Sequence, residues 1–129
     1  MQQKKRILLI DDDADFIYLN KVFLESKGYR IITAYNGEEG LKKAIENKPD
    51  LIVLDVMMTR ITEGFDVSRK IRMDERLKTI PVIMLTGIRK KERLPWTFEP
   101  DDNWLPVTKF LEKPISPQKL LKEIEKIVK

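Results

Sequence analysis

The chain has 129 residues, 42% of them hydrophobic, and a formal net charge of +4. It contains neither cysteine nor histidine, which excludes disulfides, thiolate and imidazole metal ligands and a histidine general base. The mixed charges do not favour direct nucleic-acid binding, and no apolar run is long enough to span a membrane. We therefore expect one cytoplasmic domain over residues 1–129.

The first third of the chain alternates between strand and helix patterns. Ile7–Ile10 is a continuous apolar run, which is typical of a parallel strand covered on both faces. Residues 14–27 place apolar side chains at helical spacing, and Gly28 ends this predicted helix. Arg30–Ala34 is a short β-branched segment that predicts the second strand.

The middle third continues the alternation. Asn36 predicts the start of a second helix, with Glu39 three residues on as its capping-box partner. Leu51–Leu54 predicts the third strand, and residues 65–76 form an amphipathic helical stretch. Val82–Leu85 predicts the fourth strand.

The last third begins with an irregular segment. Ile88–Pro106 contains three prolines, which disfavour a long regular helix. Val107–Glu112 predicts the fifth strand. Ser116 and Pro117 fit the N-cap and the first position of a final helix.

This order of elements predicts an α/β fold with a doubly wound parallel sheet and helices on both faces. In such sheets, binding sites lie at the carboxyl ends of the strands. No glycine-rich dinucleotide motif follows the first strand. The polar residues expected at that edge, each placed after a strand, are Asp11, Asp12, Asp13, Asp55, Thr86 and Lys113.

Such a set of residues suits phosphoryl chemistry. Neighbouring carboxylates repel one another, and a divalent cation removes that penalty. With oxygen ligands only, Mg²⁺, Mn²⁺ or Ca²⁺ is the expected kind of ion. An aspartate can accept a phosphoryl group, while the ammonium of Lys113 and the hydroxyl of Thr86 can contact its oxygens.

Four motifs in chain order resemble the receiver domain of two-component response regulators. The motifs are Ile7–Asp12, Leu54–Met58, Leu85–Gly87 and Phe110–Pro114. The resemblance covers nearly the whole chain. It implies a flavodoxin-like receiver fold with five parallel strands in the order 2-1-3-4-5, here with a short or irregular fourth helix.

The resemblance also implies a phosphorylation site that uses Mg²⁺. Asp55 would accept the phosphoryl group from a sensor histidine kinase or a phosphotransfer protein. Asp11 and Asp12 would hold the ion, directly or through water, together with Asp55 and the backbone carbonyl of Met57.

The remaining implied roles concern the conformational change that follows phosphorylation, in which a protein-binding surface is switched. Lys113 would pair with the phosphoryl group and Thr86 would move toward it, while Phe110 would change rotamer with Thr86. The Lys113–Pro114 peptide bond would be cis. Asp13 would have a structural role near the start of the first helix.

Two segments depart from the family pattern. Thr59 stands where proline is common, and Gly64 comes about one residue late. The segment Ile88–Pro106 is longer than in typical receivers. We expect it to form an atypical partner surface, which leaves the choice between monomer and dimer open.

The resemblance favours a signalling domain rather than a turnover enzyme, with a downstream protein that the sequence does not name. Two alternatives stay open. Asp11 and Asp13 also resemble the nucleophile and acid of haloacid-dehalogenase-type phosphatases. The second alternative is a receiver that binds partners without phosphorylation.

Overall fold

The computed structural model describes residues 4–55, 63–87 and 108–128. Within these ranges the elements, in chain order, are β1 (Arg6–Ile10), α1 (Ala14–Ser26), β2 (Arg30–Ala34), α2 (Gly37–Asn47), β3 (Leu51–Asp55), α3 (Glu63–Met73), β4 (Val82–Gly87), β5 (Lys109–Lys113) and α4 (Pro117–Ile127). The strands form one parallel sheet in the order β2-β1-β3-β4-β5, which confirms the predicted fold class. The segment expected to hold a short or irregular helix between β4 and β5 lies outside the described residues.

Two hydrophobic clusters cover the two faces of the sheet. Alternate side chains of each strand point to opposite faces. In β1, Leu8 and Ile10 belong to the cluster that contains buried residues of α2 and α3. Ile7 and Leu9 belong to the cluster that contains buried residues of α1 and α4. The continuous apolar strands are therefore explained by burial on both faces. Among the described residues, no helix is long and apolar enough to cross a membrane.

Several element boundaries differ from the predicted ones. Asp55 and Lys113 are the last residues of β3 and β5, and Thr86 lies inside β4. The sequence placed each of them just after its strand. The ladder continues through them, with Asp55 opposite Leu85 and Thr86 opposite Glu112. The three polar residues are therefore held by strand pairing. Helix α3 also begins and ends earlier than predicted.

The helix N-termini follow the predicted capping pattern with one difference. The Asn36 side chain accepts a hydrogen bond from the Glu39 N–H at 2.8 Å. The Glu39 carboxylate accepts from the Tyr35 N–H at 2.6 Å, one residue before the position that a standard capping box uses. Ser116 caps α4 by accepting from the Lys119 N–H at 3.1 Å.

Helix α2 approaches β1 closely at Gly40. A Cβ atom there would lie 2.5 Å from Cδ1 and 2.9 Å from Cγ1 of Ile10. Both residues are buried, so the neighbouring side chain has little room to move. Glycine therefore permits this helix–strand distance, although it is a poor helix former.

We expect Gly40→Ala to lower the free energy of unfolding by about 1–2 kcal/mol, since overpacking exceeds the gain in helix propensity. Urea unfolding measures the change. Lys42→Ala, at an exposed position of the same helix, is the matched control and should shift stability by less than about 0.5 kcal/mol. A Gly40→Ala variant as stable as the parent would contradict the packing argument.

An ion-pair network joins β5 to α4. The Lys109 Nζ atom lies 2.6 Å from Glu123 Oε1, and the Lys126 Nζ atom lies 3.2 Å from Glu123 Oε2. Glu123 is only 7% exposed. The Lys109 ammonium, and after it that of Lys126, holds the pKa of Glu123 below its ordinary value, although burial opposes this shift.

The lowered pKa predicts a pH-dependent contribution to stability. The pairs stabilise the folded chain above the ordinary pKa of 4.5, and this stabilisation is lost as the pH falls through the lower folded-state pKa. Glu123→Gln should therefore reduce stability at about pH 7, and the deficit should shrink at about pH 3. Urea unfolding at both pH values measures it, with the exposed Glu46→Gln as control. An equal deficit at both values would contradict the assignment.

Candidate functional site

Three carboxylates meet at the carboxyl edge of the sheet. One oxygen from each of Asp11, Asp12 and Asp55 lies within 4.8 Å of the other two. The cause is topological: β1 and β3 are parallel neighbours with Ile10 opposite Leu54, so the residues that follow meet at one edge. Asp11 and Asp55 are 3% and 2% exposed, whereas Asp12 is exposed. The juxtaposition predicted from the sequence is present.

Asp13, the last of the three consecutive aspartates that begin at Asp11, has a structural role, as predicted. Asp13 is the N-cap of α1, and its carboxylate accepts hydrogen bonds from the N–H groups of Asp15 at 3.0 Å and Phe16 at 3.2 Å. Its own N–H donates to Asp11 Oδ1 at 3.0 Å. Asp13 is therefore not one of the three clustered carboxylates, but it orients Asp11.

Lys113 brings a positive charge to this cluster. Its Nζ atom lies 2.6 Å from Asp11 Oδ2 and 3.8 Å from Asp55 Oδ2. The lysine side chain is 22% exposed, so these contacts are only partly screened by water. The Lys113–Pro114 bond is cis, which confirms that prediction.

Phe16 is part of this site, and the sequence reasoning missed it. The Lys113 Nζ atom lies 4.4 Å from the centroid of the Phe16 ring, within the range of a cation–π contact. Helical spacing assigned Phe16 only to the apolar face of α1, and it does pack against that cluster. The sequence feature that could have indicated a role is its place three residues after the N-cap Asp13. This puts Phe16 in the first turn of α1, next to the edge of the sheet where the carboxylates meet, called the acidic edge below.

Thr86 and Phe110 lie on the other side of the sheet. Thr86 is 1% exposed and follows Met84 by two residues, so strand alternation directs it to the face of α2 and α3. Phe110 lies opposite Met84 and packs against the cluster on that face. The two residues proposed for the switch thus share a face. Met57, proposed as a backbone ligand, lies outside the described residues.

The chemistry of the donor set fits a hard divalent cation. All three clustered side chains offer oxygen atoms, and one ammonium offsets only part of their negative charge. Residual negative charge at a mostly buried site favours a cation. Asp11, Asp12 and Asp55 are the described side chains that could hold it.

Comparison with known proteins identifies the family of this chain. The family model for the response regulator receiver domain matches residues 7–125. The alkaline phosphatase synthesis transcriptional regulatory protein PhoP of Bacillus subtilis is 36% identical over 97% of this chain, but the match covers 49% of PhoP. Protein PilH of Pseudomonas aeruginosa is 29% identical over 95% of this chain and 97% of PilH.

The solved structures give the same result. The chemotaxis response regulator CheY4 of Vibrio cholerae matches with a TM-score of 0.78 and 26% identity, over 97% of this chain and 99% of CheY4. The chain therefore belongs to the receiver domains of two-component response regulators, which are signalling domains. The chain spans about half the length of transcriptional regulators such as PhoP, since the match covers 49% of PhoP.

The charge balance at the site predicts a rescue experiment. Lys113→Met should lower the free energy of unfolding by about 2 kcal/mol, because it leaves two nearly buried carboxylates without their counter-charge. Adding Asp55→Asn should recover a large part of the loss, since it removes one of these charges. Urea unfolding at neutral pH measures both changes.

The exposed Lys122→Met on α4 is the matched control and should be neutral. If the double variant were less stable than Lys113→Met alone, charge repulsion between the acids would not be the cause of the loss.

Proposed function

We propose that the chain is a phosphorylation switch in which Asp55 accepts a phosphoryl group from a histidine kinase or a phosphotransfer protein. The observation that carries the proposal is the position of Asp55. Asp55 is 2% exposed, its carboxylate belongs to the three-carboxylate cluster, and the Lys113 ammonium lies 3.8 Å away. A nucleophile between a cation site and an ammonium is what phosphoryl transfer requires.

The transfer itself exchanges one bond for another. A carboxylate oxygen of Asp55 forms a bond to phosphorus while the bond from phosphorus to the donor imidazole nitrogen breaks. The imidazole nitrogen keeps the electron pair and takes up a proton from water. Lys113 is close enough to Asp55 to pair with an oxygen of the transferred group.

Mg²⁺ is the proposed cofactor. Asp11, Asp12 and Asp55 would hold it, directly or through water, and the backbone carbonyl of Met57 is the further proposed ligand. When bound, the ion supplies neutralisation of the negative charge that develops on the phosphoryl oxygens. The oxygen-only donor set supports this choice over a softer metal.

The proposed output starts from Thr86 and Phe110. Thr86 would contact the phosphoryl group, and Phe110 would change rotamer in response and alter a surface that a downstream protein binds. Their common face of the sheet supports this coupling. We further propose that residues 1–129 act as one receiver domain.

The phosphatase alternative is less well supported. It requires Asp13 as a general acid, but the Asp13 carboxylate accepts two backbone N–H bonds at the start of α1. The geometry at Asp13 thus suits a helix cap, and Asp55 is the better nucleophile.

The test is incubation with acetyl phosphate and Mg²⁺, followed by intact-mass and peptide analysis. We expect one phosphoryl group, on Asp55, and no adduct when the metal is chelated. Asp55→Asn should remove the adduct. Asp15→Asn, an exposed carboxylate in the first turn of α1, is the matched control and should keep it.

Each other outcome is informative. An adduct that persists in Asp55→Asn would overturn the assignment, and one located on Asp11 would support the phosphatase alternative. A parent chain that takes up no phosphoryl group with Mg²⁺ present would favour binding without phosphorylation.

A further inference from the structure

We propose that Phe16 is a positioning residue for phosphoryl transfer: its ring holds the Lys113 ammonium at the acidic edge. The inference rests on the proposed function, since it assigns Phe16 a part in the reaction of Asp55. It adds a residue from α1 to a site otherwise formed at the ends of strands. Phe16 acts through Lys113 and does not itself contact the reacting atoms.

The contacts of Lys113 define what Phe16 contributes. The ammonium lies 4.4 Å from the Phe16 ring centroid and 2.6 Å from Asp11 Oδ2. A lysine side chain has four rotatable bonds and loses considerable entropy when it is fixed. The aromatic ring restricts the lysine side chain more than the carboxylates of Asp11 and Asp55 alone would.

Hydrogen bonds to its backbone fix the position of Phe16 in the first turn of α1. The Phe16 N–H donates to the Asp13 carboxylate at 3.2 Å, and the Phe16 carbonyl accepts from Asn20 Nδ2 at 2.8 Å. Asn20 is 1% exposed. Asp13 also donates its N–H to Asp11. A closed series of contacts therefore runs from Asp11 through Asp13 and Phe16 to Lys113 and back to Asp11.

An uncharged partner has a specific advantage at this site. A fourth carboxylate could also attract Lys113, but it would repel the incoming phosphoryl group and compete for the cation. An aromatic face attracts an ammonium through its quadrupole and carries no net charge. Lys113 can therefore turn toward a phosphoryl group on Asp55 while Phe16 still keeps it at the edge.

The simpler alternative is that Phe16 only packs against the core. Helix α1 offers a matched control for this alternative. Phe23 is also partly buried, packs against the same cluster and has the Lys27 Nζ atom 5.4 Å from its ring centroid. It lies two helical turns away from the acidic edge, so its pair has no role in the proposed reaction.

The experiment measures the rate of Asp55 phosphorylation by acetyl phosphate at saturating Mg²⁺. We expect Phe16→Leu to lower the rate about threefold to tenfold, and Phe16→Tyr to stay close to the parent because it keeps the aromatic face. Phe23→Leu should leave the rate unchanged. Urea unfolding of the same variants separates loss of rate from loss of folded chain.

A double-mutant cycle with Lys113→Met tests whether Phe16 acts through the lysine. In that background Phe16→Leu should cause no further loss of rate. A trifluorophenylalanine at position 16 keeps the shape of the ring but weakens its negative face, and it should lower the rate in the parent chain.

Three results would overturn the inference: an unchanged rate in Phe16→Leu, an equal loss in Phe23→Leu, or a full additional loss on top of Lys113→Met. These failures differ from failure of the proposed function, in which the parent chain itself takes up no phosphoryl group on Asp55.

Discussion

The site depends on one electrostatic constraint: two nearly buried carboxylates at the ends of neighbouring strands need a counter-charge. Lys113 supplies it, with its ammonium 2.6 Å from Asp11 and 3.8 Å from Asp55. The charge comes from the end of β5, and it can reach the acids only because all five strands are parallel and end at one edge. The parallel topology of the sheet therefore determines which charged side chains meet at the site.

Much of this could be predicted from the sequence because the signals are local. Apolar runs that end on acids, together with helical spacing between them, indicate a parallel sheet and the edge at which Asp11 and Asp55 meet. The predicted ends of β3, β4 and β5 come too early in the chain, because a polar side chain after an apolar run resembles a strand terminus. Backbone pairing with the neighbouring strand decides the boundary, and Thr86 opposite Glu112 continues the ladder.

Phe16 shows why the rest could not be predicted. Its spacing with other apolar residues of α1 explains its partial burial, and its place three residues after Asp13 sets it near the acids without indicating which residue its ring contacts. The contact with Lys113 joins residues at opposite ends of the chain, and only the assembled fold brings them together. Phe16 packs against the hydrophobic cluster on the α1 side of the sheet, while Phe110 packs against the cluster on the side of α2 and α3.

The charges of β5 also bear on how copies of this domain could associate. Within the described residues β5 is an edge strand of five residues, and three of them, Lys109, Glu112 and Lys113, are charged. A short edge strand with charged side chains is a poor template for another chain's strand. Lys113, which contacts the acidic site, and Lys109, which pairs with α4, therefore also disfavour the addition of another chain's strand at this edge of the sheet.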